Sequence, residues 1–226
     1  MSHNIHYYLQ FIILTEIIAL LNSSYNILTS KLNGFIKKYY KNLIIKGSIL
    51  SLGIIVLLFI LISIFEYLSW SNSLTRTIVF YSFLILVSLI IVYWIIIPAL
   101  KLLRLGNVLS HEDAAKIIGT HFPNVSDKLL NAIQLNKIAG AQSQELLAAS
   151  IDQKTSELSP IPFRRAISYG TNLKYLKFVA TPILLIILLV LTAPSIILEP
   201  AERLINQRQN FIKPLPYKLE FLNDKF

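Results

Sequence analysis

The chain has 226 residues, 54% of them hydrophobic and only 15% charged, and its mean hydropathy is +0.61. That is more apolar and less charged than an ordinary soluble domain. The net charge of +9 would suit a nucleic-acid binder, but the Lys and Arg residues gather beside apolar runs, which points to membrane topology and excludes nucleic acid as the expected partner. Without cysteine there is no disulfide, no thiolate metal site and no cysteine nucleophile.

The first apolar run, 7–21, is short for a span and carries Gln10 and Glu16. It reads as an interfacial helix, with a fourth membrane segment or a start-site extension as the alternatives. Residues 30–46 hold Lys31, Lys37, Lys38, Lys41 and Lys46 without an acidic residue, and Leu32, Phe35, Ile36, Tyr39 and Tyr40 recur at helical spacing. This predicts a basic amphipathic segment on an anionic membrane surface; its simpler reading is the positive flank of the next span. Together 1–46 form an N-terminal amphipathic, interfacial and cytoplasmic segment.

Residues 47–65 and 77–100 are uncharged and long enough to cross a hydrocarbon core of about 30 Å. The short turn 66–76 between them predicts an antiparallel hairpin over 47–100, with Tyr67 and Trp70 at the headgroup level and Glu66 marking the outer interface. Gly47, Ser51 and Gly53 offer a small-residue patch where another helix could approach. A third uncharged run, 178–198, has Pro182 and Pro194 expected near its ends.

Between spans two and three, 101–177 is the stretch able to form a soluble subdomain. Ser110 followed by Asp113 predicts a helix start, with Ala114, Ala115, Ile117 and Ile118 on one face and a stop at Gly119 and Pro123. A second helix is expected from Ser126, closed by Gly140, and a third from Ser143, giving a small bundle. Beyond the third span, 199–226 holds a short polar helix with Glu202 and Arg203. The alternation in Tyr217–Phe221 then predicts a strand that opens a truncated extracytoplasmic β region. The fold class is therefore an all-α membrane protein with three transmembrane helices, a small cytoplasmic helical bundle and the start of a β region at the C-terminus.

Five basic residues precede span one, the turn has Arg76, and 101–174 carries nine, so the N-terminus and 101–177 are expected in the cytoplasm and the C-terminus outside. A metal or acid–base site would need His111, Glu112, Asp113 and His121 to converge, but their spacing matches no zinc module and capping explains them better. No catalytic, cofactor-binding or metal-binding residue and no cofactor is nominated. The three spans hold no Asp, Glu, Lys, Arg or His, unlike those of pumps and proton-coupled transporters.

Several stretches in order carry a resemblance: Tyr39-Tyr40-Lys41-Asn42, Arg76-Thr77, Pro98-Ala99-Leu100-Lys101-Leu102, and Ser110 through Gly119. His121-Phe122-Pro123 and Asp127-Lys128-Leu129-Leu130-Asn131 continue it. From about Lys31 onward the chain resembles the amino-terminal membrane region of the large bacterial envelope proteins grouped as domain of unknown function 4175. The resemblance implies a Gram-negative inner-membrane location and a long extracytoplasmic region of which this chain would hold only the beginning. It carries no functional residue. The function expected is a non-enzymatic inner-membrane anchor or scaffold, the alternative an accessory subunit of a membrane transport or secretion assembly. The partners expected are the lipid bilayer, a protein docked on the cytoplasmic subdomain, and further copies of the chain.

Overall fold

The computed structural model describes residues 2–138, 153–158 and 160–213, with side chains for 26–134, 153–158 and 160–213. Among these residues the fold is all-helical, without a strand. Residues 217–221, expected as a strand, and the expected helix from Ser143 lie outside them.

Helix α1 (Ser2–Ser69) is one unbroken helix where the sequence suggested three successive segments. No proline occurs before Pro98, and the interior glycines Gly34, Gly47 and Gly53 each weaken a helix by about 1 kcal/mol, too little to break it. After a turn at 70–72 comes α2 (Ser73–Ile91), which passes through a π-helical turn (Val92–Ile96) into α3 (Ile97–Leu102). The turn is thus shorter than the expected 66–76, because Asn72 caps α2: its Oδ1 accepts from the Thr75 N–H at 2.9 Å. Next are α4 (His111–His121), α5 (Pro123–Ile138) and a helical segment α6 over 153–158. Two 3₁₀ turns, Phe163–Ala166 and Tyr169–Asn172, lead to α7 (Leu173–Thr192), and a third, Pro194–Ile196, leads to α8 (Leu198–Ile205).

Three of these stretches are long and apolar enough to cross a membrane: Asn26–Ser69, Ser73–Leu102 and Phe163–Thr192. Large apolar side chains stand exposed along α2, such as Ile85 and Leu89, and along α7, such as Leu184 and Leu191. Contiguous exposed apolar surface of this kind suits lipid contact. The third apolar helix begins and ends earlier than the expected 178–198. Ala193 is pushed to φ −144° by the following Pro194, and Pro182 therefore sits inside α7.

The chain divides into two compact units. One comprises Met1–Ile45 and Ile95–Asn172. Its core sets Leu28, Leu32, Phe35 and Ile36, one face of α1, against Ala114, Ala115 and Ile118 of α4 and Leu129, Ala132 and Ile133 of α5. Burying each large side chain stabilises by about 1.5–3 kcal/mol. The apolar face of 30–46 is therefore covered by protein, which corrects the expectation that it rests on a membrane surface. Helix α4 ends at His121, between the expected stop residues Gly119 and Pro123. Gly119 lies inside it, where an added Cβ would stand 2.7 Å from the Cβ of Ser126, so this glycine serves close packing and not chain termination. Helix α5 starts at Pro123, three residues ahead of the expected Ser126, because proline suits a first turn whose N–H groups have no helical partner.

The other unit comprises Lys46–Trp94 and Leu173–Phe226. Phe59 meets Phe83 with ring centroids 6.4 Å apart, and Gly47 meets the Trp94 backbone, so α1 and α2 pair in opposite chain directions. A Cβ on Gly47 would overlap the Trp94 carbonyl oxygen, and one on Gly53 would stand 3.2 Å from that of Phe178. Both carbonyls lie four residues before a proline, Pro98 and Pro182, which has no N–H to give them. The glycines bring the α1 backbone close to two carbonyls that a proline deprives of the usual i+4 donor, where Cα–H groups can face the oxygens.

Candidate functional site

The hairpin end of the second unit holds a buried charge cluster. Glu66, in the last turn of α1, is 1% exposed, as is Arg76 in the first turn of α2, while Arg203 of α8 is 3% exposed. Arg76 donates from Nε to Glu66 Oε1 at 3.1 Å, from Nη2 to the Ser71 carbonyl at 2.7 Å and from Nη1 to the Gln209 carbonyl at 3.1 Å. Its guanidinium also lies 4.9 Å from the Phe211 ring centre. Arg203 is held less completely. Its Nε is 3.6 Å from the same Glu66 oxygen, and its Nε and Nη2 make no hydrogen bond. Instead its guanidinium lies 3.8 Å over the Trp70 ring. Trp70 takes a φ of +46°, a backbone region that bulky residues rarely enter.

One carboxylate thus serves two guanidiniums in a site closed to solvent. Sequence reading assigned Glu66 to the interface, Arg76 to the turn and Arg203 to a polar helix, and did not bring them together. The opposite signs at 66 and 76, on either side of a tight turn, were a usable signal. The 66–203 approach left none, since it depends on how α8 folds back.

In the first unit the residues weighed as a metal or acid–base site do not converge. Ser110 Oγ accepts from the Asp113 N–H at 3.0 Å and donates to Asp113 Oδ2 at 2.7 Å, which is the expected cap. The Ser110 hydroxyl and then Lys116 hold the Asp113 carboxyl below its ordinary range. His111 Nε2 lies 3.1 Å from Asn33 Oδ1 of α1, and burial, followed by the Arg104 charge, lowers its pKa. His121 is exposed and packs edge-on to Phe122. Among the described residues no three His, Cys, Asp or Glu side chains are grouped to hold a metal.

The same unit carries a groove of about 810 Å³ along the start of the described α1 side chains, walled by Lys31, Lys37, Arg104 and Arg164, by small polar residues of α1 and by the apolar stretch Pro160–Phe163. The Lys38 ammonium donates to the Arg164 carbonyl at 2.7 Å and fixes the far wall. The Tyr40 hydroxyl accepts from the Leu109 N–H at 2.9 Å and holds the 103–110 segment on α1. Neither arrangement places a nucleophile beside a base. Comparison with known proteins adds no assignment: no family model, no curated protein and no solved structure matches this chain.

Proposed function

We propose that the chain is a non-enzymatic inner-membrane anchor or scaffold of the type that the resemblance to domain of unknown function 4175 implies. Its apolar helices hold it in the bilayer, its helical unit of α4 and α5 on α1 faces the cytoplasm, and it anchors a larger periplasmic portion. The observation that carries this reading is the closed charge cluster. Glu66, Arg76 and Arg203 are joined in a contact among α1, α2 and α8 at the hairpin end, and each of the three is nearly closed to solvent. Ionisable groups that serve transport face a water-filled cavity. A rigid hairpin with a cored helical unit is what a scaffold needs.

The test is the apparent mass of the native gene product, detected with an antibody to the 110–134 region. A product several times the 25.7 kDa of this chain supports the anchor of a large periplasmic protein. A product of that mass, purified with a stoichiometric multi-span partner, would overturn the anchor reading in favour of an accessory subunit of a transport or secretion assembly.

A further inference from the structure

We propose that the trough between α1 and α7 in the second unit seats one anionic phospholipid, with an acyl chain along the helices and the phosphate at the lysines by its mouth. The two helices run in the same direction, since Lys46 stands at Tyr175 and Gly53 at Phe178 and Val179. Beside the Gly53 contact lies a trough of about 390 Å³. Leu50, Ile54 and Leu57 of α1 line it with Phe178, Pro182 and Leu185 of α7. The one hydroxyl in its lining, on Thr181, already donates to the Lys177 carbonyl at 2.9 Å, so the walls offer hydrocarbon to an occupant. From Leu50 to Leu57 the trough follows α1 for about 10 Å. Its volume lies in the range of small-molecule sites, and an apolar channel along a membrane helix fits an acyl chain and not a polar solute.

The mouth of the trough selects the lipid. Lys46 lies one helical turn before Leu50, and Lys174 one turn before Phe178. Both ammonium groups sit at the same ring, with Lys46 Nζ 4.9 Å and Lys174 Nζ 5.2 Å from the centre of Tyr175. Lys177 Nζ is 5.6 Å from the centre of Phe178, which itself lines the trough. Cation–π contacts of this kind hold side chains that are otherwise free to sweep, so binding has less ordering to do. Lysine stems near a helix end also carry their charge to the headgroup level. A basic site between membrane helices suits a phosphodiester that brings no cation of its own, such as phosphatidylglycerol, whereas a choline headgroup adds a positive charge at the same place. The membrane topology rule asks for lysines on this flank, but not for their gathering on two rings over an apolar trough. The orientation proposed above makes the leaflet the cytoplasmic one; the site itself does not depend on it.

The full chain would be placed in phosphatidylcholine nanodiscs containing a trace of phosphatidylglycerol or phosphatidylcholine with a diazirine midway along one acyl chain. After irradiation, the crosslinked residues are mapped by mass spectrometry. Phosphatidylglycerol should label the stretches 50–57 and 178–185 well above phosphatidylcholine, while both lipids label the α2 surface at Ile85 and Leu89 equally. In K46Q/K174Q the phosphatidylglycerol label in the trough should fall about tenfold or more, with the α2 label unchanged. Both lysines reach the surface, so that variant should fold. Leu57→Trp keeps the lysines but fills the lower trough, and it should reduce the same label. Equal labelling of the trough by the two lipids would mean ordinary boundary lipid and overturn the proposal. So would a label unchanged in K46Q/K174Q, or an equal loss in K37Q/K41Q, which would reduce the effect to general surface charge. Absence of label from both the trough and the α2 surface would overturn the membrane placement along with the site.

Discussion

At the scale of single residues, the unequal treatment of the two buried arginines makes a sharp prediction. Arg76 has three hydrogen bonds, whereas Arg203 leaves Nε and Nη2 without one and shares the Glu66 oxygen at 3.6 Å. Removing the shared carboxylate leaves two buried cations facing each other, and breaking a buried pair in this way costs about 3–5 kcal/mol. Glu66→Gln should therefore unfold at much lower temperature in detergent. Arg203→Met removes a poorly satisfied charge and keeps an apolar stem over Trp70, so its melting temperature should change little or rise. Equal losses in the two variants would contradict this account. A second residue-scale prediction concerns His111, whose pKa is lowered by burial and by Arg104. A base with a depressed folded pKa adds stability that is present above the unfolded value, near 6.5, and is lost as pH falls through the folded value. Thermal unfolding should show less stability at mildly acidic pH than at neutrality, and His111→Gln should remove that slope.

At the scale of elements, the pairing of glycines with prolines governs how α1 meets its neighbours. Pro98 and Pro182 strip a hydrogen bond from Trp94 and Phe178, and Gly47 and Gly53 approach those carbonyls. Gly47→Ala puts a methyl on the Trp94 oxygen and should destabilise by about 1–3 kcal/mol in thermal or denaturant unfolding. Gly53→Ala meets a looser contact and should have a smaller effect. Pro98→Ala returns a donor to Trp94 and can draw its carbonyl back toward the ladder. The G47A/P98A double-mutant cycle should then be non-additive in the rescuing direction, and strict additivity would count against the coupling.

The same elements show what could be read in advance. The apolar lengths of the three runs, the Ser110 cap and the small-residue patch at Gly47 and Gly53 are local signals, and each reappears as a helix, a cap or a close approach. The π-helical turn was in principle visible in the single Pro98 late in a long apolar run. The buried face of 30–46 could not be told from a lipid-facing one, because Leu32, Phe35 and Ile36 give the same spacing against α4 as against acyl chains. Arg203 with Glu66 depends on a fold-back that no local pattern encodes.

For the whole molecule, the proposed orientation in the bilayer rests on charge. The proposed orientation puts both flanks in the cytoplasm on the strength of five cations before the apolar half of α1 and nine in 101–174, against none in the turn at 70–72. The chain has no cysteine, so single cysteines can be introduced without background. Asn72 and Thr120 are both exposed, one in the turn before α2 and the other in α4. In intact cells a membrane-impermeant maleimide should label Asn72→Cys, and Thr120→Cys should react only after the inner membrane is opened. The reverse pattern would invert the orientation. Labelling of both sites from one side would mean that the α2–α3 stretch does not cross, and its exposed Ile85 and Leu89 would then need a protein partner in place of lipid.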